Sequence, residues 1–376
     1  MRILHFSDTH LGYQAYDHVN SLGVNTREDD VYRAFEQVID AALRLRPDLM
    51  IHAGDVFHRP SPSNRALTFA LEQLNRLVEA KIPLCVIAGN HEAPRNAFTA
   101  PILKALGVLP GVEAFFEPVY AYREYGPIAV HALPHVQDPR NLQQELGCIR
   151  PQPGRFNLLI MHLSLGARYL MDEYGEQRFP DEALSALAQF DYVALGHWHK
   201  TQKAEVKANA WYCGATESFS DAETGVPKGF LLLDTEQAQK PVFHPIANRP
   251  WTCFEIRNCY LLSVQEIYAQ LEALSAAQDT RDHIVTLGLH GLSASQYLTL
   301  NNQELRRFFP DCMQLNIKRS PAESAPSFAE QLEGVRFESL GGLFDAYIVE
   351  QYADQPEFGK KIRALAKRYF EIAETP

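Results

Sequence analysis

Five short apolar runs in this chain each end on a cluster of histidine, aspartate or asparagine, and no other feature restricts the fold as much. Ile3-Leu4-His5-Phe6 leads into Asp8-Thr9-His10, and Leu49-Met50-Ile51 leads into Gly54-Asp55. Leu84-Cys85-Val86-Ile87 leads into Gly89-Asn90-His91-Glu92, the run Phe156 to Ile160 into His162, and Tyr192-Val193-Ala194-Leu195 into Gly196-His197-Trp198-His199. Runs of this length bounded by glycine turns read as buried strands. Polar clusters at the carboxyl ends of such strands are where open α/β sheets gather their ligands.

The segments between the runs fit that reading. A helix starts near Thr26, with Asp29 three residues on as a capping pair, and Val31, Phe35, Val38, Ile39 and Ala42 keep helical spacing up to Pro47. A second helix covers Ala66 to Ala80. Strand, helix, strand, helix, strand is the pattern of a parallel sheet with crossovers. Shorter strands follow at Val112–Phe116, Val119–Tyr122 and Ile128–Leu133, then a polar helix near 138–147 and another helix near 181–189. With Trp211-Tyr212-Cys213, Gly229 to Leu233 and Val242-Phe243, this predicts two packed sheets with helices outside. Residues 251–319 change character to β-α-β-α-β: Thr252–Ile256, a helix from Ser263 capped by Glu266, Ile284–Leu289, a helix near 302–308, and Met313–Ile317. Ser320 to Ser327 opens a linker-like stretch over 320–339. Residues 340–376 read as two helices split by Pro356.

With 376 residues, the chain suits two or three domains. At 46% hydrophobic and 22% charged residues it matches an ordinary soluble protein, with no apolar run near the ~20 residues of a membrane span. The first residues lack a secretory leader pattern, so a cytoplasmic location is expected. The six cysteines form no C-x-x-C pair and read as buried, reduced thiols. The net charge of −11 is not the usual footprint of a nucleic-acid binder.

The polar clusters supply the chemistry. Asp8 and His10 lie two apart at one strand end and can reach one ion. Asp55 can bridge two ions through its two oxygens, Asn90 offers a neutral oxygen, and His162, His197 and His199 offer imidazoles. Oxygen and nitrogen donors without thiolate suit Mn²⁺, Fe or Zn²⁺ better than Ca²⁺. Two ions ~3.5–4 Å apart would activate water and clamp a transferring phosphoryl group. Two divalent ions bring +4 and the two aspartates −2, so the centre would attract a phosphodiester even in an acidic protein. His91, beside Asn90, can act as general acid, with Glu92 orienting it. His5 and His52, inside strands, read as core histidines.

At these residues the chain resembles the calcineurin-like metallophosphoesterase superfamily, whose pattern is Asp-x-His, Gly-Asp, Gly-Asn-His-Asp/Glu, His and Gly-His-x-His in this order. Within it the chain is most similar to the SbcD nucleases, on Ser7 to Gly12, Gly54 to His58 followed by Arg59-Pro60-Ser61-Pro62, Gly196 to Lys200, Tyr212 to Glu217, and Lys228-Gly229-Phe230. The resemblance implies a two-sheet α-β-β-α sandwich over 1–250, a smaller α+β DNA-capping domain over 251–319, and a helical ATPase-binding tail over 340–376. It implies one ion on Asp8, His10, Asp55 and His199, and another on Asp55, Asn90, His162 and His197. His91 would be the phosphate-stabilising acid and His58 a second catalytic histidine. It further implies Mn²⁺, 3′-to-5′ exonuclease action on duplex ends, endonuclease action on single strands and hairpins, and a coiled-coil ATPase partner of the SbcC type. A homodimer would form through the helix Ala66 to Ala80 or the segment near 96–106, within a heterotetramer at the nucleoid. Glu92 stands where these nucleases more often carry Asp, and the match weakens after about residue 250.

Tyr13, Tyr16, His18, Arg59, Arg65 and Arg95 flank the first three clusters and read as DNA contacts. In the tail, Phe344, Tyr347 and Ile348 form one apolar stripe and Phe358, Ile362, Leu365 and Tyr369 another, with a basic side at Lys360, Lys361 and Arg363; they read as a surface for a partner coiled coil. A phosphatase or small-molecule phosphodiesterase with the same metals is the alternative, and a non-catalytic DNA-end scaffold a further one.

Overall fold

Alternate residues of the first strand enter different cores. Leu4 and Phe6 pack under helices, while Ile3 packs toward a second sheet, as strand periodicity requires. The computed structural model describes residues 1–93, 100–171, 176–238, 240–322, 344, 348 and 359–366. Within these, β1 (Arg2–Phe6), α1 (Thr26–Leu45), β2 (Leu49–His52), α2 (Asn64–Glu79), β3 (Leu84–Ile87) and β4 (Val112–Phe115) build the first half. There follow β5 (Ala121–Tyr125), β6 (Ile128–Leu133), α3 (Pro139–Leu146), β7 (Phe156–His162), β8 (Tyr192–Gly196), β9 (Gln202–Lys203), β10 (Ala210–Tyr212), β11 (Gly229–Asp234) and β12 (Val242–Pro245). One sheet has the order β12-β11-β1-β2-β3-β4 and the other β5-β6-β7-β8-β10-β9. The strands β1 to β4 run parallel, as do β6, β7, β8 and β10, so each set has its carboxyl ends on one side.

Ile3, Ile51 and Ile87 meet Val130, Ile160 and Ala194 between the sheets. Phe35 and Ile39 of α1 and Leu74 and Leu77 of α2 cover the outer face of the first sheet; Leu142 of α3 and Leu187 cover that of the second. The α-β-β-α layering expected from the sequence is therefore present. His5 and His52 are buried, and burial pulls both down to about 3. His5 Nδ1 meets the Tyr192 hydroxyl at 3.1 Å and His52 Nε2 meets the Thr9 hydroxyl at 3.0 Å.

β13 (Trp251–Ile256), α4 (Val264–Ala277), β14 (Ile284–Leu292), α5 (Ala294–Thr299), α6 (Asn302–Arg306) and β15 (Gln314–Pro321) form a three-stranded sheet with its own core around Phe254, Ile267, Leu287 and Phe309. This part and the sandwich form one compact unit, Met1–Ser320; Pro321–Pro376 is a second. A buried ion network ties the first unit together. Arg249 Nε and Nη2 reach the two Asp30 oxygens at 2.6 and 2.7 Å, Arg27 Nη1 reaches Asp30 Oδ2 at 2.7 Å, and Arg249 Nη1 donates to the Asp282 carbonyl at 2.7 Å.

Local details differ from the sequence reading. The cap of α1 is Asn25, whose side chain accepts from the Arg27 and Glu28 amides, while Asp29 pairs with Arg33 one turn on. Asn accepts well from the first-turn amides and takes the position from Thr26. Asp181–Gln189 is a 3₁₀ helix: Pro180 precedes it and offers no side-chain cap. The Ser263–Glu266 capping box forms as expected. All six cysteines are free, but Cys148 and Cys253 are exposed, one in the turn after α3 and the other on the outer face of β13. Among the described residues no helix is long and apolar enough to cross a membrane.

Candidate metal centre

The loops after β1 and β2 are zipped together. The amides of Asp8, His10 and Leu11 donate to the carbonyls of Gly54, Asp55 and Val56 at 3.0, 3.0 and 2.7 Å. To face one another, Asp8, His10, Asp55 and His197 all adopt positive φ, at 52°, 45°, 59° and 88°. Left-handed backbone at such residues costs on the order of 1–3 kcal/mol each and persists where the surroundings enforce it. The glycines of the clusters allow close approach. A Cβ on Gly54 would lie 2.4 Å from His162 Nδ1, one on Gly89 2.1 Å from Asp55 Oδ1, and one on Gly196 2.1 Å from the Ala53 carbonyl oxygen.

The donor atoms converge. His162 Nδ1 donates to the Ala53 carbonyl at 2.8 Å, which turns Nε2 toward Asn90 Oδ1 at 3.0 Å and Asp55 Oδ2 at 3.2 Å. In the neutral imidazole these are three acceptors meeting at one point, and either a proton or a cation must lie among them. Without a cation, burial pulls His162 down, but the Asp55 charge and hydrogen bond outweigh it and hold the group up at about 10. Burial works against Asp55 ionising; His162, His91 and His10 reverse this and keep its carboxyl well below the usual range. On the other side, His10 Nε2 lies 3.3 Å from His199 Nε2 and 4.0 Å from Asp55 Oδ2. His10 Nδ1 is buried without a hydrogen-bond partner among the described residues. Burial, then His91, push His10 well down, which favours the neutral imidazole. Asp8 accepts the His197 amide at 3.0 Å. The ligand atoms of Asp8, His10 and His199, and those of Asp8, Asp55 and His162, lie within 4.8 Å of one another, as do those of His10, His58 and His91. This set of carboxylates, an amide oxygen and imidazoles suits divalent cations.

His91 Nδ1 donates to the His58 carbonyl at 3.1 Å, its amide donates to Asp55 Oδ1 at 3.0 Å, and its Nε2 lies 4.0 Å from Asp55 Oδ2. Its ring centroid is 4.7 Å from that of His10 and 5.2 Å from that of His58. Glu92 holds backbone: it accepts the Gly89, Asp55 and Phe57 amides at 2.9, 3.2 and 2.8 Å. Burial, then the Asp55 charge, push its carboxyl up to about 8 against those amides. These contacts fix the loop that carries Asp55, where the sequence reading expected Glu92 to orient His91.

Tyr13 packs edge-on against His58 and Phe219. Tyr16 and His18 reach across to β15: the Tyr16 hydroxyl accepts from Asn316 at 2.9 Å, and His18 Nε2 meets Gln314 Oε1 at 3.1 Å. Arg59 is exposed, and Arg65 lies 3.7 Å from buried Glu28. Arg95, Tyr347, Phe358 and Tyr369 lie outside the described residues. Phe344, Ile348, Ile362 and Leu365 are helical; Ile348 is buried and Leu365 exposed.

Three residues at the centre escape the motif reading. Glu176 Oε1 lies 2.8 Å from His197 Nε2, Glu223 Oε1 lies 3.4 Å from His199 Nδ1, and buried Lys228 pairs with Glu223 and donates to the His199 carbonyl at 3.0 Å. Glu176 and Glu223 resist burial through these partners and fall to about 2. Only Lys228 carried a signal, as part of the Lys-Gly-Phe similarity.

The chain belongs to the calcineurin-like phosphoesterase family, whose sequence model matches residues 1–201. It is 33% identical over 200 residues to the DNA double-strand break repair protein Mre11 of Sulfurisphaera tokodaii, covering 53% of this chain and 49% of the relative. To the Mre11 of Haloferax volcanii it is 31% identical over 261 residues, covering 68% and 54%. The chain thus spans about half the length of these curated relatives. Among solved structures, a dimetal phosphatase from Danio rerio aligns with TM-score 0.42 at 14% identity, covering 62% of this chain and 91% of its own.

Proposed function

We propose that this chain is a two-metal phosphodiesterase that hydrolyses DNA at broken ends. The observation that carries the metal reading is the Asp55 carboxylate, whose Oδ2 stands 3.2 Å from His162 Nε2 and 4.0 Å from His10 Nε2 and so belongs to both halves of the donor set. Asp8, His10, Asp55 and His199 would hold one divalent cation, and Asp55, Asn90, His162 and His197 the other, with Mn²⁺ the expected metal. When bound, such a pair supplies Lewis acidity toward the phosphoryl oxygens and activates the attacking water.

The chain's own groups do the rest. His91 donates from Nδ1 to the His58 carbonyl, which orients its ring with Nε2 on the Asp55 side, and the protonated ring would give its Nε2 proton to a phosphoryl or leaving oxygen. His58 packs against that ring, and Tyr13 packs edge-on against His58. DNA is the favoured substrate because relatives 31–33% identical to this chain are DNA double-strand break repair proteins, while the phosphoesterase family model spans the loops that carry the candidate ligands. The sheet at 251–319 also joins the loop after β1 through Tyr16 and His18, which gives an extended platform that a small ester would not need. Exonuclease action from 3′ ends, endonuclease action on single strands and hairpins, an SbcC-like ATPase on the tail, and a homodimer complete the reading.

The test is hydrolysis with Mn²⁺ of linear duplex DNA, hairpin DNA and a small aryl phosphodiester, with His91→Asn in parallel. DNA cleavage reduced about 10²–10⁴-fold in the variant, with metal retained, is expected. Cleavage of the small ester alone, with and without a coiled-coil ATPase partner, would overturn the DNA reading and leave a phosphodiesterase.

A further inference from the structure

The two histidines of Gly-His-x-His face different carboxylates, and those carboxylates lie outside all five clusters. Glu176 Oε1 is fixed by the Met171 amide at 2.8 Å and the Ser164 hydroxyl at 3.0 Å, and from there it meets His197 Nε2 at 2.8 Å. Glu223 Oε1 is fixed by the Phe219 amide at 3.2 Å and the Ser220 hydroxyl at 3.3 Å, with Oε2 on Lys228, and it meets His199 Nδ1 at 3.4 Å. A carboxylate only accepts, so in each pair the imidazole nitrogen carries the hydrogen. His197 is thereby left with its lone pair on Nδ1, and His199 with its lone pair on Nε2, the atom 3.3 Å from His10 Nε2.

Two ligands separated by one residue thus present opposite ring nitrogens. The positive φ of His197, 88°, gives it a backbone different from an ordinary strand end. We infer that Glu176 and Glu223 are positioning residues that set these tautomers, and that each governs one cation: Glu176 the one on Asp55, Asn90, His162 and His197, and Glu223 the one on Asp8, His10, Asp55 and His199. The assignment rests on the dimetal reading. Partners that fix a ligand's tautomer are commonly worth ~10–100-fold in metal affinity. Lys228 holds Glu223 from behind, and its donation to the His199 carbonyl fixes the same residue at its backbone.

The experiment uses the full chain and Mn²⁺ as probe. Anomalous scattering from Mn²⁺-soaked crystals reads the occupancy of the two positions separately. Imidazole ¹⁵N spectra of the metal-free protein in alkaline buffer read the tautomers. The parent should show His197 with hydrogen on Nε2 and His199 with hydrogen on Nδ1. Glu176→Ala should empty the His162/His197 position while the His10/His199 position stays filled. Glu223→Ala combined with Lys228→Met, which leaves no buried cation behind, should do the reverse. Glu176→Gln and Glu223→Gln keep an accepting oxygen and should retain both ions. Loss of both positions together in each alanine variant, full retention in both, or opposite tautomers in the parent would overturn the assignment. A parent that takes up no Mn²⁺ would overturn the dimetal reading itself, and this inference with it.

Discussion

Gly196→Ala tests whether the centre depends on the close approach of β8 to the loop after β2. The added Cβ would lie 2.1 Å from the Ala53 carbonyl oxygen and 2.7 Å from His162 Nδ1, which are the two ends of the 2.8 Å bond that aims His162. Neither neighbour is the tip of a flexible chain: one is backbone and the other a ring held in a buried site. Relief requires β8 to back away by about 1 Å, an overpacking cost of roughly 1–3 kcal/mol. The lost hydrogen bond adds about 1 kcal/mol. Together these lower the melting temperature by about 3–6 °C for a unit of this size. His162 also loses the partner that fixes Nε2, so Mn²⁺ affinity should fall ~10–100-fold. The assays are thermal melting in chelator and calorimetric Mn²⁺ titration, with Gly107→Ala as control, since its Cβ would meet only the Ala114 methyl at an ordinary 3.4 Å. A Gly196→Ala protein that melts within about 1 °C of the parent and binds Mn²⁺ equally well refutes the reasoning.

Two further outcomes follow from charges at and around the site. His162 rises from 6.5 to about 10 on folding without metal, so the stability it contributes is complete below pH 6.5 and lost as pH climbs through 10. A cation must displace that proton, so Mn²⁺ affinity should rise with pH across the same window, and titrations in buffers of different ionisation heat should report proton release; heats independent of buffer near neutrality would contradict this. Asp30→Ala strips that carboxylate from Arg249 and from buried Arg27, which keeps Glu217 at 3.6 Å, and should cost about 1.5–3 kcal/mol, with faster amide exchange in β13 and β14. Unchanged melting and exchange would show that the network does not hold the three-stranded sheet to the sandwich.

The strands were readable because each is a short apolar run, and the seven residues expected as ligands sit at or just after the ends of those runs, so local pattern alone places them there. The donor atoms of Asp8, His10 and His199 and those of Asp8, Asp55 and His162 come within 4.8 Å of one another, Asn90 Oδ1 lies 3.0 Å from His162 Nε2, and the His197 amide donates to Asp8. What the sequence hid is carried by tertiary contact. Glu176 and Glu223 lie 21 and 24 residues from the histidines they face, in segments with no periodic pattern. Asn25 outcompetes Thr26 as a cap through side-chain geometry that the residue names alone leave open. The 3₁₀ form of Asp181–Gln189 is not legible from its alanine and leucine content, which suits an α-helix equally. Phe219, which packs on both His10 and His199, lies in an irregular loop where neither helical nor strand spacing operates.

The donor set is divided between the two sheets. Asp8, His10, Asp55 and Asn90 hang from the first, and His162, His197 and His199 from the second. A cation held among them is therefore a rivet through the sandwich as well as a reagent. It binds only when both sheets are docked, so it adds about 2.7 kcal/mol to their union at a hundredfold excess over Kd. The apolar residues between the sheets hold the sandwich without it, so the cation's share is an increment, and by linkage whatever pries the sheets apart would also weaken the hold on the cation.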